Sequence, residues 1–564
     1  MIKNLLKKNL FLRQLVRNYR LKNLQPSWNS ILKENKLLWD TALNSPKNQR
    51  ILIGTSVGAF LCGTTLESII AVALTLRKAE VDILLCDKVL PACMECMLGL
   101  NISEKQLANF GPQKKLCNAC FYYADKMYKS LGLKIHYYSE FLTDKDIKNA
   151  QEISEKTEYS KIKDFTYDGL KVGEHALAGA LRFYAKGEIT NEQHAEIILR
   201  KYLKSAMLTV FTINNLLNKH QYDCAVFHHG IYVPQGLIGE VCRAKKIRVV
   251  NWNPTYRKQC FIFSHNDTYH HTLMSEPVEK WENIPWNKQM EEKLLDYLKS
   301  RWYGTKDWIW FHDEKPKFDV DSFAKEIGID FSKPCIGMLT NVIWDAQLHY
   351  PTNIFSNMLD WLFQTISYFE RRTDLQLIIR VHPAEIRGTI PSRQPVVKEI
   401  EKKFSKLPSN IFVVPPENPV STYPLMEKCN AVIIYGTKTG VELTCMGIPV
   451  IVAGEAWIRN KGLTIDPKTK EEYFQVLDKL PFSSRMDKEE VKRAHKYAYY
   501  FFFGRMIQLE FIESPKTQLK GLYYRINLKN LEDLLPSRNA RLDIICEGIL
   551  HNDDFIFPDE LGIK

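Results

Sequence analysis

Long apolar runs are missing from this chain of 564 residues. The longest candidates, Ile69 to Leu76 and Tyr497 to Phe503, fall far short of the roughly eighteen residues that cross a bilayer as a helix. No helical membrane span is expected. Internal repeats and low-complexity tracts are also missing, which excludes solenoid, propeller and linker-like architectures. Acidic residues are absent from the first 22 positions, where Lys3, Lys7, Lys8, Arg13, Arg17, Arg20 and Lys22 alternate with apolar residues at helical spacing. That segment has no uninterrupted apolar core, so it does not read as a secretory signal, and a cytoplasmic protein is expected. No Gly-x-Gly-x-x-Gly is present, which argues against a nicotinamide enzyme. Asp-x-Asp spacing occurs at Asp144 to Asp146 and Asp319 to Asp321, neither after a strong strand, so a metal-held nucleotide is disfavoured. Cysteine is present at 13 positions, too unevenly spaced for a disulfide framework, and a reducing compartment is expected.

What remains is a globular composition, 45% hydrophobic, 25% charged and 12% aromatic, long enough for two or three domains. The formal charge of +12 favours anionic partners. Residues 1–47 read as a basic amphipathic leader, of the kind that lies on an anionic membrane surface. Two readings stay open for it: peripheral attachment to the inner membrane face, or an ordinary solvated helix docked on its own domain. Ile51 to Ser56, a helix through Leu76, Val81 to Asp87, Tyr222 to Gly230 and Ile247 to Asn253 alternate strand and helix, so residues 48–285 form one Rossmann-like domain. Residues 286–334 read as a connector. A second series of buried strands, at Cys335, Leu375, Ile411, Ala431 and Pro449, makes residues 335–480 a second such domain, and 481–564 a helical segment packing back. The fold class is α/β: two doubly wound domains facing across a cleft, where open sheets bind ligands at the carboxyl ends of their strands.

Three constellations carry chemistry. Cys93-x-x-Cys96 and Cys117-x-x-Cys120 form two thiolate pairs, at a spacing that suits one tetrahedral structural zinc, with an iron–sulfur cluster as the alternative. They define a four-cysteine insertion at about residues 86–125. Tyr435-Gly-Thr-Lys-Thr-Gly-Val-Glu follows a strand and opens a helix. Its Thr437, Thr439 and Gly440 offer hydroxyl and amide donors to a phosphate, Lys438 offers charge, and Glu442 offers a carboxylate for a ribose hydroxyl. It lacks the first glycine of a Walker loop. Arg380-Val-His382-Pro383 ends another strand of the same half, where Arg and His suit phosphate. In the first half, Gly54-Thr-Ser-Val-Gly58 precedes a helix carrying Glu67, and His228-His229-Gly230 ends a strand. Glu67 and His229 are candidate bases for an attacking hydroxyl, and Asp345, beyond the first strand of the second half, is a third cleft candidate.

Leu375 to Pro383, Ser421 to Met426, Tyr435 to Leu443 and Met446-Gly-Ile-Pro-Val-Ile-Val-Ala-Gly resemble the donor-binding half of the capsule polysaccharide biosynthesis family. That family includes β-Kdo transferases of the GT-B fold and is similar to bacterial GT-B sialyltransferases, whose His-Pro and paired-hydroxyl motifs grip the phosphate of a CMP-sugar. The resemblance implies a metal-independent GT-B glycosyltransferase. His382-Pro383 matches the first motif, while Lys438 separates Thr437 from Thr439 where the second has adjacent hydroxyls. A nucleotide sugar, with CMP indicated, is the implied donor, and a surface or capsular glycan or glycolipid the acceptor. No nucleic-acid partner is expected. Two other readings fit the same plan: a nucleotide-sugar epimerase, and a glycan-binding or assembly factor without catalysis.

Overall fold

The computed structural model describes residues 9–308, 316–345, 352–513 and 524–562. Lys3, Lys7 and Lys8 of the leader lie outside the described residues.

The alternating pattern of apolar runs produces two separate sheets. The first has seven strands in the order β12-β6-β5-β4-β1-β2-β3. They are β1 (Gln49–Ser56), β2 (Ala79–Leu85), β3 (Lys134–Tyr137), β4 (Cys224–His228), β5 (Arg248–Pro254), β6 (Cys260–His265) and β12 (Ile507–Gln508). Strands β3, β2, β1, β4 and β5 are mutually parallel, whereas β6 and β12 close one edge antiparallel. The second sheet is entirely parallel, ordered β11-β10-β7-β8-β9. Its strands are β7 (Cys335–Leu339), β8 (Gln376–Arg380), β9 (Ile411–Val414), β10 (Ala431–Ile434) and β11 (Val450–Val452).

Both sheets are buried on both faces, as parallel sheets must be. In β1, Ile51 and Ile53 face one core layer with the helix Leu61–Leu76, while Leu52 faces the layer built by the helices Val172–Tyr184 and Ala195–Lys219. In β10 the same period of two sends Val432 and Ile434 one way and Ala431 and Ile433 the other. The helix Leu61–Leu76 is buried along its whole length, which explains its near-continuous apolar sequence in place of a striped one.

The expected connector and C-terminal segment are parts of these cores. The helix Lys288–Tyr303 sends Met290, Leu294 and Tyr297 into the second half, and the helix Lys488–Tyr499 adds Ala494, Tyr497 and Ala498. The chain then returns: β12 joins the first sheet, and the helix Ala540–His551 packs Leu542, Ile545 and Cys546 against the first core. The two Asp-x-Asp segments are helix caps. Asp319 accepts from the Ser322 amide at 3.0 Å, and Asp146 closes a reciprocal capping pair with Thr143. No described helix is long and apolar enough to cross a membrane.

Candidate functional site

In each sheet the chain winds outward in both directions from its first strand, which places a crevice at the carboxyl ends where the order reverses. In the first half this crevice lies between β1 and β4. Two non-glycine residues there have left-handed backbones, Ser56 (φ 60°) at the end of β1 and His229 (φ 63°) just after β4. Such strain concentrates at working sites. Gly58 is required by packing, because a Cβ there would sit 2.4 Å from the Cys120 carbonyl oxygen. His229 stacks on Tyr232 with ring centroids 5.3 Å apart. Burial, helped by the Arg182 charge, pushes its imidazole down to about 3, so it is neutral at physiological pH. Tyr232 donates to the Asp345 carboxylate at 2.9 Å, and the Arg182 guanidinium lies 5.2 Å over the Tyr232 ring. Asp345 is exposed by surface area, yet the protein crowded around it pushes its carboxyl up, against the pull of Tyr232 and Arg182. His229, Tyr232 and Asp345 thus join the two halves. Tyr232 was not a sequence candidate, although it stands three residues beyond His229 in the same loop.

In the second half the reversal lies between β7 and β10. His382 follows β8 and Thr437 follows β10, so both reach the same carboxyl edge, one on each side of β7. Two strand spacings separate their backbones, about 10 Å. The end of β7 stitches them together: Thr340 Oγ1 accepts from the His382 amide at 3.1 Å, and Asn341 Oδ1 accepts from the Gly436 amide at 3.2 Å. Gly436 must be glycine, since a Cβ would meet the Glu455 carbonyl oxygen at 2.8 Å. The Ala384 amide donates to His382 Nδ1 at 3.0 Å, which puts the ring proton on Nε2 and makes that nitrogen a donor. The Thr437 and Thr439 hydroxyls are 3.1 Å apart.

Several expected phosphate ligands are committed elsewhere. The Thr439 amide donates to Thr437 Oγ1 (3.3 Å) and the Gly440 amide to the Thr437 carbonyl (3.4 Å), so Thr437 closes a turn just before the helix Thr439–Cys445 and occupies the amides expected for phosphate. Arg380 is 2% exposed and binds the carbonyls of Pro415, Asn418 and Val420, fastening the loop after β9. Burial without a carboxylate partner pushes its guanidinium down to about 10. Lys438 and Glu442 pair with each other at 2.6 Å, and Glu442 also pairs with Arg301 at 3.0 Å and accepts from Tyr423. Burial alone would push the Glu442 carboxyl up, but Arg301 and Lys438 hold it at about 2. Burial and the Arg301 charge push the Lys438 ammonium down to about 8, and it sits 4.2 Å over the Tyr256 ring. Asp307 completes this buried network on Arg301. Glu442 therefore holds cations rather than a ribose hydroxyl.

Glu67 is 1% exposed and does not face the cleft. Its carboxyl accepts from Thr55 and from the Trp252 indole at 2.8 Å, and Thr55 in turn accepts from the His228 amide at 2.9 Å. Burial pushes Glu67 up to about 8 against these bonds, so at neutral pH it carries a proton. Its bonds tie β1, β4 and β5 together beneath the crevice.

The expected four-thiolate centre is not formed: among the described residues no group of three or more His, Cys, Asp or Glu is arranged to hold a metal ion. The fold does gather the thiols. Cys93 and Cys96 hydrogen-bond to each other across a tight turn, and Cys86, Cys93, Cys117 and Cys120 lie within electrostatic reach of one another. The donor set suits zinc or an iron–sulfur cluster, and Cys120 Sγ accepts from the Ala59 amide at 3.2 Å.

Residues 341–485 match the family described as capsule polysaccharide biosynthesis protein, a segment that contains His382 and the Thr437 loop. None of the curated proteins compared with the chain matches it. Among solved structures, the chain is similar to Thermosulfurimonas dismutans KpsC, beta Kdo 2,4 transferase, at 11% identity over 49% of this chain and 79% of that one, with a TM-score of 0.29. The beta Kdo 2,7 transferase of the same protein matches at 10% identity over 58% and 90%, also at 0.29. A putative UDP-N-acetylglucosamine 2-epimerase from Listeria monocytogenes matches at 11% identity over 90% and 98%, at 0.26.

Proposed function

We propose, from the capsule polysaccharide biosynthesis match over residues 341–485, that this protein is a glycosyltransferase that moves a sugar from a nucleotide donor to a surface or capsular glycan. The observation that carries the reading is the hydrogen bond from Tyr232, beside the first sheet's switch point, to Asp345 of the second half. One crevice offers the Nε2 donor of His382 and the Thr437 and Thr439 hydroxyls, groups suited to the departing nucleotide phosphate. The other offers neutral His229 beside Tyr232, and Asp345 faces them from the donor half. Asp345 is the best placed base for an acceptor hydroxyl, because it is at the cleft and its raised carboxyl lies nearer the working pH. The chemistry would need no metal at the donor phosphate. CMP is the nucleotide the His-Pro motif favours.

The test is nucleotide binding followed by transfer. Thermal shift against a nucleotide panel should identify one ligand, and His382→Ala should slow transfer by roughly a hundredfold. Unchanged transfer by that variant would remove the phosphate site and the reading with it. Release of free sugar epimer without an acceptor would favour the epimerase plan instead.

A structural zinc or iron–sulfur cluster on Cys93, Cys96, Cys117 and Cys120 is a separate proposal. It is supported by the two Cys-x-x-Cys turns, distant in sequence, meeting at one place.

A further inference from the structure

The leader helix Leu10–Leu24 is docked the wrong way round for a helix whose apolar face serves its own core. Its inward side joins Leu21 to a row of polar side chains. The Arg13 guanidinium donates to the Gly99 carbonyl, Gln14 to the Asn101 carbonyl at 2.9 Å, and Arg17 to the Leu116 carbonyl at 3.4 Å and to Glu95 at 3.6 Å. Leu21 is its one buried residue. At about 100° per residue, Phe11, Leu15 and Tyr19 fall in one stripe on the other side of the helix, with Lys22 among them. These three are 66%, 49% and 70% exposed, an unusual concentration of large apolar surface on a single helix. Tyr122, on the adjoining helix Asn118–Lys129, is exposed as well.

Two facts identify what covers this face. Lys22 lies within the stripe, and no acidic residue occurs in the first 22 positions, so the partner carries negative charge. A second copy of this chain would bring Lys22 and its bare apolar stripe against themselves, within a protein already at +12. We infer that the outward face of the leader helix is a docking surface for an anionic lipid bilayer, with Phe11, Leu15 and Tyr19 entering the headgroup boundary and Lys22 meeting the lipid charge. Aromatic and aliphatic side chains beside Lys and Arg on an interfacial helix have this chemistry. The polar clamp to Gly99, Asn101 and Leu116 fixes the helix to the body, so the face is presented rigidly and the whole protein is oriented on the surface. This inference is independent of the glycosyltransferase reading.

The test uses the full chain, sedimented with phosphatidylcholine vesicles with and without phosphatidylglycerol. The wild-type protein should bind only the anionic vesicles, and less at high salt. The triple variant Phe11→Ser, Leu15→Ser, Tyr19→Ser should bind roughly a hundredfold more weakly, and Lys22→Glu at least about fivefold more weakly. Both should keep the wild-type melting temperature and nucleotide affinity, since none of these side chains packs inward. Equal vesicle binding by the triple variant, or none by the wild type, overturns the proposal. So does a wild-type dimer in sedimentation velocity that the triple variant converts to monomer, because the occupant is then a second copy.

Discussion

Replacing Glu67 by Gln separates bracing from catalysis. Glu67 is buried at the foot of the first crevice, accepting from Thr55 and Trp252, with its carboxyl pushed up to about 8 by burial. The folded chain therefore holds that proton far more tightly than the unfolded chain, whose carboxyl titrates near 4.5. The stabilisation is fully present below the unfolded value and is lost as pH rises through about 8. The slope is about 1.4 kcal/mol per pH unit, which accumulates to about 4 kcal/mol between pH 5 and 8. A glutamine keeps an oxygen for Thr55 and Trp252 but cannot ionise. Urea unfolding at several pH values, read by tryptophan fluorescence, should show Glu67→Gln gaining on the wild type by that slope as pH rises. Transfer should stay within a few-fold of wild type. Parallel pH curves for the two proteins would refute the burial argument. A loss of transfer of roughly a hundredfold or more with nucleotide affinity intact would make Glu67 the base after all.

Glu442→Gln should lower stability by about 3 kcal/mol, since it leaves Arg301 and Lys438 buried with less compensation. Adding Lys438→Met should restore part of the loss in thermal melting, because the two residues are coupled. For the cysteines, elemental analysis of protein purified under reducing conditions should find one zinc, or the iron of one cluster, per chain, and Cys117→Ser should melt lower. A metal-free protein with all four thiols open to a thiol reagent would remove that proposal.

The sequence by itself determined most of the strands, though β3 (Lys134–Tyr137) and β6 (Cys260–His265) carried no comparable signal. Runs such as Ile51 to Ser56 and Ala431 to Tyr435 are continuous and apolar because both faces of each parallel sheet are covered, a condition written locally in every residue. For the same reason His382 and Thr437 could be assigned to strand ends before any topology was known. The antiparallel edge escaped that logic, since β12 is only two residues long and pairs with β6 from far along the chain. Tertiary structure decided what the polar residues do. Arg380 looks like a phosphate ligand until the loop after β9 folds over it and three carbonyls take its donors. Glu442 looks free until the helix Lys288–Tyr303 delivers Arg301. Thr340 and Asn341 became the link between His382 and Gly436 only when β7 was placed between β8 and β10. The leader's cations read as an outward basic face, yet docking turned Arg13 and Arg17 inward and Phe11, Leu15 and Tyr19 out. Apolar periodicity is a property of neighbouring residues, so sequence carries it. A charged group's role depends on which distant backbone or counter-ion desolvates it, and only the folded chain specifies that partner.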